Sequence, residues 1–326
     1  MKKYLYIAIA AATLASCSQD DTLDAIQGEE IQFGGAFIEN NTRAAVDPSY
    51  HTGTVSTEKP HVLTGFNVYG TVENVNIFNG NQVSKGSANY GAAWSLTGTK
   101  QYWVAGADYI FDAVVDATKV NPDANGLPSS LEYDASTQKD MLHDRVTTTG
   151  QPADGLVKFD FTHLLSKVKF TVSNNTTEDA TNYQLTVTDI TITNAYATGN
   201  YAVVEQKIDD KTIAAGSWYN TTTGTHTIAD MTVASNTADQ ECANEVLLIP
   251  GANVGISFNI NVQIKTGDTW KTLTIVPVSK SNVVTLVANN AYNFKVEYAM
   301  GGEIQFTATT MPEWTTTGND KDITVE

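Results

Sequence analysis

Residues 256–264 read Ile-Ser-Phe-Asn-Ile-Asn-Val-Gln-Ile, with an apolar side chain at every second position. Successive side chains of a β-strand point to opposite faces of a sheet, so this spacing predicts a strand with one face on a core. The same period recurs from Tyr109 to Val115 and from Tyr292 to Tyr298. Sustained helical spacing of apolar residues occurs nowhere, so the sequence predicts an all-β fold.

Turn-forming residues separate the predicted strands and divide the chain into many short segments, which favours β-sandwiches. The expected turns are Asn79-Gly80-Asn81, Asn125-Gly126, Thr198-Gly199-Asn200, Thr266-Gly267-Asp268 and Gly301-Gly302. Two segments have room for short helices, Asp134 to Arg145 and Ala234 to Asn244. The polar stretch from Thr147 to Asp154 is the candidate linker or long loop between two domains.

The N-terminus has the pattern of an export signal. Met1-Lys2-Lys3 is basic, and the apolar run from Tyr4 to Thr13 is too short to span a bilayer. Leu14-Ala15-Ser16-Cys17 resembles the lipobox of bacterial lipoproteins, which predicts that Cys17 is acylated and becomes the mature N-terminus. An ordinary signal peptide that contains a cysteine is the alternative. Gln19-Asp20-Asp21 resembles the acidic signal of surface-exposed Bacteroidetes lipoproteins, with a solvated tether as the alternative.

Composition excludes several classes of function. The formal net charge is −17, from 36 acidic and 19 basic residues, and Arg43 and Arg145 are the only arginines. An acidic surface repels phosphate backbones, so we expect no nucleic-acid partner. The two cysteines, Cys17 and Cys242, exclude a disulfide framework if Cys17 carries lipid. Cys242 is expected to pack as a small apolar residue.

The sequence contains no motif that predicts an enzyme, a cofactor or a metal site. P-loop, zinc and nucleophile-elbow patterns are all missing. The segment Asn121 to Glu132 has the oxygen spacing of an EF-hand loop, but its prolines favour a surface turn. His163, among Phe161 and two leucines, is expected to be a satisfied and partly buried residue. Asp209-Asp210 is interpreted as a solvated turn rather than as a glycosidase pair.

Several segments together resemble the fimbrillin family, the subunits of the type V pili of Bacteroidales. Besides the lipobox, they are Asn40 to Ala45 around the Arg43-Ala44 bond, Tyr102-Trp103, Tyr109 to Ala113, Phe161 to Val168, Tyr292 to Val296 and Ile304 to Trp314. This resemblance implies two transthyretin-like Greek-key β-sandwich domains in a structural subunit of a cell-surface fimbria that supports adhesion and biofilm formation. It implies no enzymatic activity.

The resemblance also implies an order of processing. Residues 1–17 are the signal peptide, 18–43 a propeptide with a removable strand, 44–162 the N-terminal sandwich and 163–326 the C-terminal sandwich. An Arg-specific extracellular protease is expected to cut between Arg43 and Ala44. Outer-membrane lipid would hold the precursor through Cys17, and other fimbrial subunits would be the partners of the cleaved chain by strand exchange.

One short sequence occurs near both ends of the chain, as Ile31-Gln32-Phe33 and as Ile304-Gln305-Phe306. Interchangeable strands require such copies, although coincidence is the alternative because these triplets are common in β-proteins. Counting by two places residues 31, 33, 35 and 37 on one face. The expected strand residues are Ile31, Phe33 and Phe37 in the displaced strand, and Ile304, Phe306 and Ala308 in the donor strand, with Ile323 and Val325 further on.

A glycan-binding surface lipoprotein is the competing interpretation, with exposed aromatic residues such as Trp94, Trp103 or Trp218 as its binding surface. Isolated tryptophans are more often core residues, and a binding module has no need of a leader that ends at a protease site. The C-terminal strand pattern, without an added domain, favours a shaft subunit over a tip subunit.

Overall fold

The computed structural model describes residues 28–34, 37–38, 63, 65–85, 93–177, 181–299, 304–311 and 321–324, with residues 37–38, 311 and 321–324 described by their backbone alone. The described chain is nearly all β-strand, which confirms the all-β prediction, and it contains one short 3-10 helix, Ala135–Thr137. Within these residues, no helix is long and apolar enough to cross a membrane.

The N-terminal half forms a seven-stranded sheet beside a small parallel ribbon. Strands are numbered in chain order. Across the sheet they are β2 (Phe37–Ile38), β11 (Asp160–His163), β9 (Leu142–Thr149), β6 (Asp108–Val115), β3 (Gly65–Val72), β4 (Val75–Lys85) and β5 (Trp94–Leu96). The ribbon consists of β1 (Gln32–Phe33) and β10 (Leu156–Val157). Both pack on one core that is rich in phenylalanine.

Two larger sheets follow. One contains β18 (Thr237–Glu241), β12 (Ser166–Asn174), β22 (Ala291–Tyr298), β23 (Gln305–Met311) and β24 (Lys321–Thr324) in that order, with β19 (Val246–Leu248) also on β12. The other contains β21 (Thr269–Thr285), β20 (Asn253–Thr266), β13 (Tyr183–Ala202), β8 (Pro128–Asp134) and β7 (Lys119–Pro122), with β16 (Trp218–Thr227) and β17 (Met231–Ala234) also on β13. A separate hairpin joins β14 (Gln206–Ile208) to β15 (Lys211–Ile213).

These two sheets form a β-sandwich with a shared apolar core. The alternating run at 256–264 lies in β20, and Ile256, Phe258 and Ile260 are buried as the sequence predicts. The ring of Phe258 lies 5.3 Å from that of Phe170 on β12, in the facing sheet. The alternating run of β20 therefore lies at the centre of the C-terminal core.

The β7–β8 hairpin connects the two halves of the chain. It lies in the sequence between N-terminal strands, yet β8 pairs with β13 of the C-terminal sandwich over five residue pairs. Leu131 and Tyr133 of β8 pack with Leu164 and Leu165 in a small core between the halves. The expected boundary between residues 162 and 163 therefore does not separate the hydrogen-bonded sheets.

Four of the five predicted turns lie in described residues, and Gly301-Gly302 lies outside them. Asn125-Gly126 joins β7 to β8 as predicted. Asn79-Gly80-Asn81 lies inside β4, where Gly80 has φ +76° at a register shift, so the turn prediction is wrong. Thr198-Gly199-Asn200 likewise lies inside β13 beside β8. Thr266-Gly267-Asp268 does join β20 to β21. Glycine in a strand marks a bulge as readily as a turn, which explains both errors.

One of the two predicted short helices is present and the other is wrong. Between Asp134 and Arg145 the structure has the 3-10 helix Ala135–Thr137, and β9 begins at Leu142. Between Ala234 and Asn244 the chain turns at Asn236 and continues as β18. Cross-strand pairing with β12 decides the local structure there, because these polar segments have only weak conformational preferences of their own. The Asp209-Asp210 turn is confirmed, since both residues have positive φ between β14 and β15.

Candidate assembly site

The N-terminal segment, residues 28–34, lies between two backbone edges of the N-terminal half. On one side the Ile31 amide donates to the Gln101 carbonyl at 2.8 Å, and the Trp103 amide donates to the Glu29 carbonyl at 2.9 Å. On the other side β1 runs parallel to β10, and the Gly34 amide donates to the Val157 carbonyl at 2.9 Å. The segment is therefore held as an inner strand, although it precedes the longer strands of this half, which begin at Gly65.

The side chains of this segment complete the aromatic core. Ile31 is 1% exposed and Phe33 is 5% exposed, whereas Gln32 between them is exposed. The ring of Phe33 contacts four others, with centroid distances of 5.6 to 6.3 Å to Phe78, Phe111, Phe159 and Phe66. Burying each of these two large apolar side chains stabilises the fold by roughly 1.5–3 kcal/mol.

Both short strands in this part of the chain pair in parallel with later strands. Phe33 is opposite Val157, and Phe37 of β2 is opposite Asp160. The side chain of Phe37 lies outside the described residues.

Polar contacts fix the start of the segment at the surface. The Lys100 ammonium donates to a Glu30 carboxylate oxygen at 2.7 Å, and this contact raises the pKa of Lys100. The Gln151 amide donates to the Glu29 carboxylate at 2.6 Å. Gly28 lies so close to the Trp103 carbonyl that a Cβ atom there would overlap the oxygen. This position therefore requires glycine.

The expected donor residues lie in the core of the C-terminal sandwich of the same chain. Phe306 is 8% exposed and Ala308 is 1% exposed, and Ile304 packs against the same core. Their strand, β23, pairs antiparallel with β22 on one side and with β24 on the other. Ile323 lies opposite Ala308 in the backbone pairing of β24, and Val325 lies outside the described residues.

The expected processing residues divide into two groups. Cys17, Arg43 and Ala44 all lie outside the described residues. Arg145, the other arginine of the chain, lies in β9 and binds both carboxylate oxygens of the buried Asp112. An extended, hydrogen-bonded strand resists proteolysis, because a protease needs exposed and locally mobile backbone.

The other singled-out residues have structural contacts. The His163 ring is buried and its Nδ1 lies 3.0 Å from an Asp140 carboxylate oxygen, as expected of a satisfied histidine. Glu132 of the EF-hand-like segment binds Lys119 at 2.8 Å, across the β7–β8 hairpin. Within the described ranges, no group of acidic, histidine and cysteine residues could hold a metal. Cys242 is half-buried, and its thiol donates to the Ala229 carbonyl.

The tryptophans considered for glycan binding do not form an exposed platform. Trp103 is 5% exposed, and its ring packs edge-on to Tyr109 at 4.7 Å. Trp94 packs on Phe66, and Trp218 donates from its indole to the Leu164 carbonyl. All three therefore contribute to packing.

The sequence interpretation missed the cluster of Asp112, His143 and Arg145. The alternating pattern of β6 places Asp112 on the face opposite Phe111, where a polar residue is expected to meet water. The β7–β8 hairpin reaches that face, since Leu131 of β8 packs with Val114 of β6 and the Pro128 carbonyl accepts from Arg145 at 3.3 Å. Asp112 is fully buried there.

Comparison with known proteins places the chain among fimbrial proteins. A protein-family model described as fimbrillin-like matches residues 42–314. A fimbrial protein from Bacteroides vulgatus has a similar structure, with a TM-score of 0.55 and 13% sequence identity over 88% of this chain and 99% of that chain. At this identity the likeness shows a shared fold.

Two further structures are less similar. A candidate cell adhesion protein from Bacteroides uniformis has a TM-score of 0.49 and 13% identity, over 87% of this chain and 97% of that chain. Another from Parabacteroides distasonis has a TM-score of 0.46 and 10% identity, over 89% of this chain and 99% of that chain. Among curated proteins none matches the sequence significantly.

Proposed function

This chain belongs to the fimbrillin-like family, and we propose that it is a structural subunit of a cell-surface fimbria that polymerises by strand exchange. The observation that carries the proposal is the position of the N-terminal segment. Ile31 and Phe33 fill the aromatic core of a domain whose longer strands all lie between Gly65 and His163. Such a segment can be replaced by an equivalent strand from another subunit without any change in the rest of the domain.

Removal of the segment would leave a groove that must be refilled. The groove would expose Phe78, Phe111 and their neighbours, together with the unpaired backbone of Gln101 and Val157. Unpaired strand edges beside apolar surface recruit another strand. In β-strand addition the backbone hydrogen bonds provide affinity, and alternate side chains fix the register.

Cleavage between Arg43 and Ala44 is the proposed trigger. Residues 28–34 precede this bond in the chain, so a cut there frees them from the domain that they complete. Arg145 is the only other arginine, and its place in β9 with both nitrogen contacts to Asp112 makes it a poor substrate. Cleavage at Arg43 alone would thus give a single, specific product.

The C-terminal strands are the proposed donors, and the structure adds a requirement. Phe306 and Ala308 fill the core of their own sandwich through β23, so donation must first take β23 out of that core. The burial of the same side chains in the groove of a neighbour offsets this cost. Because a head-to-tail contact of this kind does not close, it generates a filament.

The remaining parts of the proposal concern location and role. Acylation of Cys17 would hold the precursor on the outer membrane before cleavage, so the chain reaches the cell surface as a lipoprotein. The C-terminal strand pattern favours a shaft subunit, and adhesion and biofilm formation are the processes that such a filament would support.

The test uses the purified precursor, an Arg-specific protease and a truncation at Gly302. The cut full-length chain should form a ladder of oligomers, and its N-terminus should read Ala-Ala-Val-Asp from Ala44. The cut, truncated chain should accept a strand but donate none, so it should terminate chains. Long filaments of the truncated chain alone would refute C-terminal donation. A monomeric full-length product that binds glycans would favour the competing function.

A further inference from the structure

We propose that residues 301–306 of a neighbouring subunit bind in the seat, which is the groove that residues 28–33 fill in the precursor. Each donor residue takes the place of the equivalent residue, 301 at 28 through 306 at 33, and Lys100 of the acceptor recognises Glu303 of the donor. This inference rests on the proposed strand exchange and fixes its register. The two hexapeptides are Gly-Glu-Glu-Ile-Gln-Phe at 28–33 and Gly-Gly-Glu-Ile-Gln-Phe at 301–306, which differ only in the second residue.

The first position of the match is the most restrictive. A Cβ at Gly28 would overlap the Trp103 carbonyl oxygen, so any strand in this seat needs glycine there. In the proposed register, Gly301 supplies that glycine. A shift by one residue would place Gly302 or Met300 at this position and would move every apolar side chain to the opposite face. Met300 has a Cβ and cannot fit against the Trp103 carbonyl. Gly302 at this position would turn Ile304 and Phe306 away from the core.

The second position tolerates variation, which agrees with the only difference between the hexapeptides. Glu29 is an exposed residue whose carboxylate reaches Gln151 at the surface. Gly302 stands at this position in the donor. The loss of one surface hydrogen bond has little effect on the fit. The two hexapeptides therefore differ at a position where the seat does not discriminate between side chains.

The third position carries a charge that the seat recognises. Glu30 accepts from Lys100 at 2.7 Å, and the lysine lies next to Gln101, whose carbonyl accepts from the Ile31 amide of the segment. When the segment leaves, Lys100 loses this partner. Glu303 has the same charge in the same register, two residues after the required glycine. The lysine therefore marks the correct register of an incoming strand.

The last three positions supply the apolar contacts. Ile304 and Phe306 replace Ile31 and Phe33 with identical side chains, so the Phe33 pocket keeps its shape. Beyond the match, Thr307 stands where the segment has Gly34. The nearest atom to a Cβ at Gly34 is Cδ1 of Leu156, at 2.8 Å, which is the end of a flexible side chain that can move aside.

A shared strand geometry does not account for the match. In its own domain the 28–33 segment runs antiparallel to the chain at Tyr102 and parallel to β10, whereas β23 runs antiparallel to both β22 and β24. The two hexapeptides share five of their six residues although β1 and β23 pair differently, which a common second seat explains better than a common local structure.

The experiment follows the oligomer ladder of full-length chains cut by an Arg-specific protease. Gly301→Ala should slow oligomer formation at least about tenfold, because its methyl group meets the Trp103 carbonyl; tenfold corresponds to about 1.4 kcal/mol. Gly302→Ala is the matched control, since the equivalent seat position already holds Glu29, and it should polymerise at the wild-type rate. Equal rates for both variants, or slowing by Gly302→Ala alone, would overturn the register.

A charge exchange provides a second readout. Glu303→Lys and Lys100→Glu should each slow assembly roughly two- to fivefold, as expected for an exposed ion pair, and the double variant should recover the wild-type rate. No recovery in the double variant would refute recognition by Lys100. If the wild-type chain itself fails to form oligomers after cleavage, the proposed function is wrong. If the wild-type chain assembles and these variants assemble at the same rate, only the register is wrong.

Discussion

Arg145 and Asp112 form a two-point ion pair at the junction between the halves of the chain, with Nε 2.9 Å and Nη2 2.7 Å from the two carboxylate oxygens. The Asp112 side chain is fully buried, and His143 Nε2 lies 2.8 Å from the same carboxylate. The pair joins β6 to β9, and the contact of Arg145 with the Pro128 carbonyl extends it to the β7–β8 hairpin. The second arginine of the chain is thus a structural residue of the subunit.

Loss of the buried charge should destabilise the precursor. Asp112→Asn leaves Arg145 without its counter-charge, and breaking a buried ion pair costs about 3–5 kcal/mol. Urea unfolding should show a free energy of unfolding lower by that amount, and therefore a lower midpoint concentration of urea. Asp116→Asn is the control, since its contact with Lys139 is exposed and 3.6 Å long, and it should change stability by less than about 0.5 kcal/mol. Equal effects of the two variants would show that the buried pair is not a stabilising contact.

The N-terminal segment should contribute strongly to the stability of the uncut chain. Phe33→Ala removes a ring that contacts four other phenylalanines, and such a truncation costs about 3–5 kcal/mol. Gln32→Ala, at the exposed neighbouring position, should have little effect. Urea unfolding of both precursors measures the difference. A Phe33→Ala precursor as stable as the Gln32→Ala precursor would mean that the segment does not complete the core in solution.

Cleavage of the folded precursor should occur at one arginine. Arg43→Gln should abolish the product that begins at Ala44 and the oligomers that follow from it. Arg145→Gln removes a residue of the junction, but it should leave the Ala44 product unchanged wherever the variant folds. Gel electrophoresis and N-terminal sequencing measure both results. A fragment beginning at Val146 from the folded wild-type chain would contradict the protection of Arg145 by β9.

Cys17 should be the site of lipid attachment. Cys17→Ala should abolish labelling by a fatty-acid analogue and partitioning into detergent, because the other cysteine, Cys242, is half-buried and binds the Ala229 carbonyl. Cys242→Ala is the control and should keep the lipid. Labelling that persists in Cys17→Ala would refute the lipobox. Each buried CH₂ of the acyl chains contributes roughly 0.8 kcal/mol to membrane binding, so the difference should be large.

His226 should make stability depend on pH. Burial lowers the pKa of its imidazole from 6.5, and its Nε2 has no hydrogen-bond partner among the described residues. Below pH 6.5 the unfolded chain binds a proton that the folded chain resists, so this residue reduces stability as the pH falls from 6.5. His226→Gln should therefore lose less stability than wild type between pH 7 and pH 5 in urea unfolding. Parallel pH profiles would contradict this assignment.

The sequence alone predicted much of the fold because period two is a local property. The run at 256–264 alternates strictly, the run at 109–115 has an apolar residue at every second position, and both form strands with the predicted face in a core. Glycine was less informative, since Gly80 lies in a strand bulge whereas Gly267 lies in a turn, and both have positive φ. A glycine shows where the backbone can adopt positive φ, but cross-strand pairing decides whether the chain turns there.

Residue type and spacing alone establish the all-β fold, the alternating faces of the strands and the match between the hexapeptides at 28–33 and 301–306. The burial of Asp112 and the need for glycine at position 28 follow from tertiary contacts. The β7–β8 hairpin near Asp112 and the Trp103 carbonyl beside Gly28 come from distant parts of the chain, so the residues around each position do not predict these contacts.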